Sequence, residues 1–369
     1  MPTRSRSRSI AAAGAVAGAL ALFAPSPVSA VKAADAVAAT DSNQFDVERL
    51  VADQPGHAET TDADLVNAWG LAASPTGPLW VANADSSTST IYQGATAPGD
   101  PVMKVPLTVS IPGGGAPTGI VFNPTNGFQL NTDGKSGPAL FIFAGEEGEL
   151  SAWNQTGDIT SAVLVAETPD AGYKGLTMVQ VGERHFLLAT NFHGRRIDVF
   201  NDRFQRVARP DAFPSRGLPD GYAPFGIATL DGRVYVTYAK QDADGEDDVP
   251  GPGFGFVNVF SQGGRFLDQL VRRGALNAPW GLATAPEGFG PFAGKLLVGN
   301  FGDGRIHVVD QRTGSVIATL RDPDHEPIEI DGLWGLLPGN GTAGAPSDVW
   351  FSAGPDDEAH GLVGILRHP

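Results

Sequence analysis

A chain of 369 residues, 41% hydrophobic with 48 Gly and 29 Pro, has length for one large core or two small ones and the turn density of an all-β fold. Its formal net charge of −16 repels phosphate backbones and anionic lipid, which argues against nucleic acid and membrane surfaces as partners. Divalent cations, cationic ligands and neutral sugars stay compatible with it, and the absence of Cys excludes disulfides, thiol catalysis and Cys-ligated metals.

Residues 1–30 read as a secretory signal peptide. Arg4, Arg6 and Arg8 make a basic start, "IAAAGAVAGALALFA" (10–24) is an apolar run too short for comfortable bilayer spanning, and Val28-Ser29-Ala30 offers small residues for cleavage near Ala30. Residues 31–44 read as a flexible lead-in. No second apolar run follows. The expectation is therefore a secreted, extracellular monomer with no membrane span, its net charge near about −19 once the three signal Arg are gone.

From residue 45 onward a short motif recurs, with an aromatic or Pro beside a Gly–apolar pair. The copies are "NAWGLA" (67–72), "APTGIV" (116–121), "GYKGLT" (172–177), "YAPFGIA" (222–228), "NAPWGLA" (277–283) and "DGLWGLL" (331–337). Their glycines are Gly70, Gly119, Gly175, Gly226, Gly281 and Gly335, spaced 49 to 56 residues apart. After each comes a second apolar run, such as "PLWVAN" or "KLLVGN", then a third, such as "STIYQG" or "RIHVV", and a looser fourth. Four short strands in each of six units predict a six-bladed β-propeller over 45–369. The sixth unit stops at "ILRHP" without a fourth strand, so "FDVERLVA" (45–52) is expected to supply it and close the ring. Glycine at each inner strand answers crowding about the axis, and Trp69, Trp280 and Trp334 read as packing residues.

The stretch "AWGLAASPTGPLWVANADSSTSTIY" resembles the general pattern of NHL and gluconolactonase-like propellers. More closely, "YVTYAKQDADGEDDVPGPGFGFVNVF", "GNFGDGRI", "IDGLWGL" and "AGPDDEAHGLVG" resemble a family of secreted bacterial six-bladed propellers. That resemblance implies a fold and carries no reaction with it.

Propeller topology places the loop entering each inner strand and the loop after each second strand on one face. There the sequence gathers Asn67, Asn83, Lys174 and Asp331 as candidate ligand contacts, and His193 and His360 as candidate bases. Asn83, Asn191 and Asn300 end the second strands of blades one, three and five. They either converge on an axial cation or start tight hairpins. With Glu146 supplying charge, Glu146, Asn191 and Asn300 form one candidate site for calcium or magnesium. Asp242, Asp244 and Asp248 in the insert "KQDADGEDDVPGPG" (240–253) form a second candidate, though Gly253 stands where an EF-hand places its bidentate Glu. No G-x-S-x-G, H-E-x-x-H or P-loop motif occurs. Two functions follow as expectations. One is a secreted binding module taking a small molecule, sugar or envelope protein on an acidic face. The alternative is a divalent-metal-dependent hydrolase, as likeness to lactonase-type propellers implies. The metal-ligand motifs of those enzymes are not matched cleanly here.

Overall fold

The structure, a computed structural model, describes residues 43–113, 116–132 and 134–369. The signal peptide and residues 31–42 of the lead-in lie outside the described residues. Six antiparallel sheets follow one another along the chain. Their inner strands are Ala68–Ala73, Pro117–Phe122, Tyr173–Val181, Tyr222–Leu230, Pro279–Thr284 and Leu333–Pro338. Each inner strand packs against the next, and the sixth returns to the first, so the blades form a closed ring. The helical content of the described residues is one 3-10 turn, Gly290–Phe292.

Strand alternation explains how flat blades make a core. In the second strand of blade one, Leu79 and Val81 face blade six, while Trp80 and Ala82 face blade two. Both faces are therefore apolar, and these residues are buried throughout. Six apolar clusters fill the six gaps between neighbouring blades, and a seventh fills the axis. Each fully buried Leu, Ile, Val or Phe contributes about 1.5–3 kcal/mol relative to exposure.

The repeated glycines form the waist of the ring. A Cβ on any of the six would come within about 3.0 Å of atoms in its surroundings, in most cases the backbone of the next blade's inner strand. Gly281 would meet the Trp334 carbonyl at 2.6 Å, and Gly335 the Trp69 carbonyl at 2.9 Å. At or beside each glycine the pairing of inner and second strand shifts register, a bulge that lets the strand turn past its neighbour.

The ring closes as the missing strand implies. Asp46–Ala52 pairs antiparallel with Leu362–Arg367, from Asp46 opposite Arg367 to Ala52 opposite Leu362. Arg367 is buried and anchors the closure. Its guanidinium reaches Glu48 on the N-terminal strand, Asp348 at 2.9 Å and the Ala95 carbonyl of blade one at 2.8 Å. Three blades depart from the four-strand pattern. Blade six gains a fifth strand, Thr60–Thr61, pairing parallel with Asp46–Ala52. Blade two carries an extra hairpin, Gln129–Thr132 with Lys135–Pro138. Blade three has three strands, its fourth reduced to a bridge between Phe200 and Arg206.

Candidate functional site

The residue before each repeated glycine defines a layer across the axis: Trp69, Thr118, Lys174, Phe225, Trp280 and Trp334. The aromatic members close the channel. Trp334 stacks on Trp69 at 3.8 Å and on Phe301 at 4.0 Å, and Trp280 packs edge-on against both Trp69 and Trp334. Lys174 is the charged exception in that layer. It is 5% exposed, and its ammonium lies 5.4 Å from the centre of the Trp69 ring.

Two chain-distant loops answer that buried charge. Lys174 Nζ donates to Glu146, which follows the second strand of blade two, and to Asp247 of the blade-four insert at 3.3 Å. Burial works against the ammonium, yet Glu146 and Asp247 outweigh it and hold the Lys174 pKa above its usual value. Asn67 stands at the same mouth. Its Nδ2 donates to Glu358 Oε2 at 2.7 Å, while its Oδ1 accepts from Trp334 Nε1 at 3.0 Å. Glu358 is aimed by a turn in which Asp356, Asp357 and Glu358 all take positive φ, a costly conformation for these residue types.

Two carboxyls here titrate far from their ordinary range. Burial pushes Glu358 up to about 7, helped by Glu146 and Asp85 and opposed by the Asn67 hydrogen bond and Lys174. Burial likewise pushes Asp248 up to about 7, with Lys174 opposing and Glu358 and Asp247 assisting. The mouth opens into a crevice of about 500 Å³ lined by Glu146, Glu147, Asp170, His193, Glu246 and Asp247 around Lys174.

The expected cation sets do not assemble. Asn191 Oδ1 accepts the Gly194 N–H at 2.7 Å, and its Nδ2 donates to Asp198 at 2.8 Å, both within blade three. Asn300 Nδ2 is shared among the Ala275 carbonyl, Asp303 and His307. Asn83 Nδ2 donates to Thr88 and Thr90. The three amides thus serve their own hairpins, because a side-chain amide at a strand end meets the turn's polar groups first. Glu146, meanwhile, is bound to Lys174. Asn300 Oδ1 is left without a partner, but one neutral oxygen is a poor substitute for the several hard oxygens calcium or magnesium requires. The insert fails for a similar reason. Asp242 Oδ1 accepts the N–H groups of Gly245, Glu246 and Asp247, Asp244 is exposed, and Asp248 turns inward toward Lys174. Among the described residues no group of three or more His, Asp or Glu is arranged to hold a metal ion.

The two histidines part company. His193 is exposed at the edge of the Lys174 crevice. His360 lies in a separate cavity of about 920 Å³ beside the ring closure, with Asp331 and His57. There its Nδ1 lies 2.8 Å from Asp53, next to the closing strand. Asp331 is exposed and accepts the Asp356 N–H. Sequence reasoning places Glu358 on this face without giving it a role, and passes over Asp85 and Asp247 as individual site residues. The signal available was Lys174 itself, a charge where four of the five other copies carry Trp or Phe.

No family model matches the chain. Uncharacterized protein L690 of Acanthamoeba polyphaga mimivirus is 32% identical over 334 residues, covering 87% of this chain and 85% of that protein. Uncharacterized protein R648 of the same virus is 30% identical over 329 residues, covering 87% and 79%. Among solved structures, an α-L-arabinofuranosidase of Fusarium graminearum superposes with a TM-score of 0.50 at 11% identity, covering 88% of this chain and 98% of that one. Streptogramin B lyase gives 0.49 at 12% identity, covering 89% and 99%. At such identity the likeness to the arabinofuranosidase speaks for the propeller fold alone. The sequence relatives are viral, whereas the sequence resemblance pointed to bacterial secreted proteins. The chain belongs to one family with the mimivirus proteins L690 and R648.

Proposed function

We propose that the chain is an exported binding propeller whose acidic axial mouth takes an organic cation bearing an amine or guanidinium. One observation carries this reading. The crevice at the mouth is lined by five carboxylates and one ammonium, and that ammonium is already matched by Glu146 and Asp247. The remaining acids, Glu147, Asp170 and Glu246, face solvent with no partnering cation on the crevice wall among the described residues. A concave site of one sign focuses the field on an incoming cation. Calorimetric titration with spermidine, calcium, magnesium and a neutral oligosaccharide tests it. Spermidine binds at low salt and weakens at 0.5 M salt, more tightly than calcium or magnesium, and Glu147→Gln with Glu246→Gln lowers its affinity about tenfold. Salt-independent binding of the neutral sugar, unchanged in the double variant, would overturn the reading. Export is tested by the amino terminus of protein recovered from the medium, expected near residue 31.

A second reading, a hydrolase with its centre at the same mouth, has its own support. Asp248 and Glu358 both titrate near 7, which suits groups that give and take protons at neutral pH. Turnover on a panel of lactones and phosphotriesters, with and without chelator, separates it from binding alone.

A further inference from the structure

The channel's other end holds a second cavity, of about 570 Å³. All six inner strands build it, beginning at the waist. Leu71, Ile120, Leu176, Ile227, Leu282 and Leu336, each the residue after a repeated glycine, form an aliphatic ring. Phe122 and Met178 extend the apolar wall toward the opening. None of the described residues lining it is charged, in a chain whose net charge is −16. Of the four polar side chains on the wall, Thr177, Thr229 and Asn340 are occupied with each other or with backbone, and Ser74 is the fourth. Thr177 Oγ1 donates to Thr229 Oγ1 and accepts the Thr229 N–H, both at 3.1 Å. Asn340 Nδ2 donates to the Ser74 and Gly77 carbonyls at 2.8 and 2.9 Å.

The inner end of this cavity is shut. Trp280 lines it, and the indole is fixed by its Nε1 donating to the Lys174 carbonyl at 2.7 Å and by contact with Trp69 and Trp334. The cavity is therefore a blind apolar pocket backed by the aromatic layer.

We infer that this pocket binds a small, neutral, apolar molecule. Three features select that class. A blind end stops a polymer from threading through, so the occupant is small, and the volume falls in the range of small-molecule sites. The uncharged wall offers no counter-ion, so an ionised group would be buried unpaired. With Thr177, Thr229 and Asn340 engaged, the Ser74 hydroxyl is the one side-chain group on the described wall left for water, so water held there is readily displaced by apolar surface. Met178, unbranched and flexible, lets the wall adapt to shape.

The experiment titrates the full chain with Nile red, a neutral apolar dye, by fluorescence. The expected result is saturable 1:1 binding with blue-shifted emission, displaced by a neutral bicyclic terpene and unaffected by spermidine. Ala73→Trp, which fills the pocket, and Met178→Lys, which charges its wall, are each expected to weaken binding at least tenfold while melting within a few degrees of the unmodified chain. Glu147→Gln, at the other mouth, leaves dye binding unchanged. Absence of saturable binding to the unmodified chain would overturn the inference. So would equal binding by both folded variants, which would mark the dye as adsorbed elsewhere on the surface. Should one variant fail to fold, displacement by dodecanoate decides on the unmodified chain: an anionic chain competing as well as the neutral terpene contradicts a site without counter-ions.

Discussion

At the end of the channel where the inner strands begin, Lys174 meets Glu146 and Asp247, and Asn67 meets Glu358. At the end where the same strands leave, Leu71, Ile120 and their four counterparts meet no charge among the described residues. Two positions along each strand separate the extremes, the residue before the repeated glycine and the residue after it. The fold demands only the glycine between them, because only there does a neighbouring blade come too close for a side chain. The layers on either side are free to differ, and one ring can present a charged surface at one mouth and an apolar one at the other.

The most severe way to break the comparison is to break the waist that both ends share. A Cβ at Gly226 would overlap the Trp280 carbonyl and reach Thr237 Oγ1 at 2.9 Å, and backbone cannot move aside as a side chain can. Gly226→Ala is expected to cost about 3 kcal/mol or more, or to abolish soluble folding. Gly172→Ala is the control. Its nearest neighbours are 3.5 Å away at the polar mouth, and its stability is expected to stay within about 0.5 kcal/mol of the unmodified chain. Chemical denaturation of both variants checks the pair. Equal stabilities would deny the waist its role.

Lys174→Met makes the aromatic layer uncharged and so pushes the polar mouth toward the apolar one. Glu146 and Asp247 lose their partner but remain partly exposed, so each can hydrate. The expected loss is about 1–2 kcal/mol rather than the larger cost of stranding a fully buried charge. Two further readouts go beyond stability. The tip of the insert near Asp247 is cut faster in limited proteolysis, and spermidine binds more tightly because the crevice has lost its ammonium. Weaker spermidine binding would mean that Lys174 organises the site more than it opposes the ligand.

Much of this architecture was legible in the chain itself, and the reason is geometric. A glycine enforced by backbone contact must recur once per blade, so Gly70 through Gly335 count the blades. The short sixth unit announces the strand 46–52 that completes it. Blade three was harder to read. Pro210, Pro214 and Pro219 follow its third strand and withhold the N–H groups a fourth strand would donate, leaving one bridge. The candidate site was legible only in part. Asn191 and Asn300 recur because a hairpin needs them, and a recurrent amide looks the same whether it serves a turn or a ligand. Lys174 and Asn67 were visible as polar residues at the axis. Their partners come from residues 146, 247 and 358; propeller topology puts those loops on one face, and nothing in local sequence says which side chains pair.

The smallest effect concerns proton uptake, and it distinguishes the two ends because the apolar pocket lines up no titratable group among the described residues. Glu358 titrates near 7 in the folded chain and near the ordinary carboxylate value when unfolded. Between those two values the folded chain holds a proton that the unfolded chain has released. Stability from this group is therefore fully present at low pH and is lost as pH rises through about 7. The other acids of the chain obscure that slope, so it must be read as a difference between two proteins. Glu358→Gln keeps an oxygen for the Asn67 Nδ2 donor and removes only the proton chemistry. At pH 4, where Glu358 is neutral in the folded state and largely protonated in the unfolded one, variant and unmodified chain should be nearly equal in stability. At pH 8 the unmodified chain carries a buried, ionised carboxylate and the variant does not, so the variant should be the more stable by about 1 kcal/mol. Melting curves at the two pH values give the sign directly. A variant less stable at pH 8 than the unmodified chain would mean that Lys174 stabilises the Glu358 anion by more than its burial costs, and the mouth would then be a site of fixed negative charge.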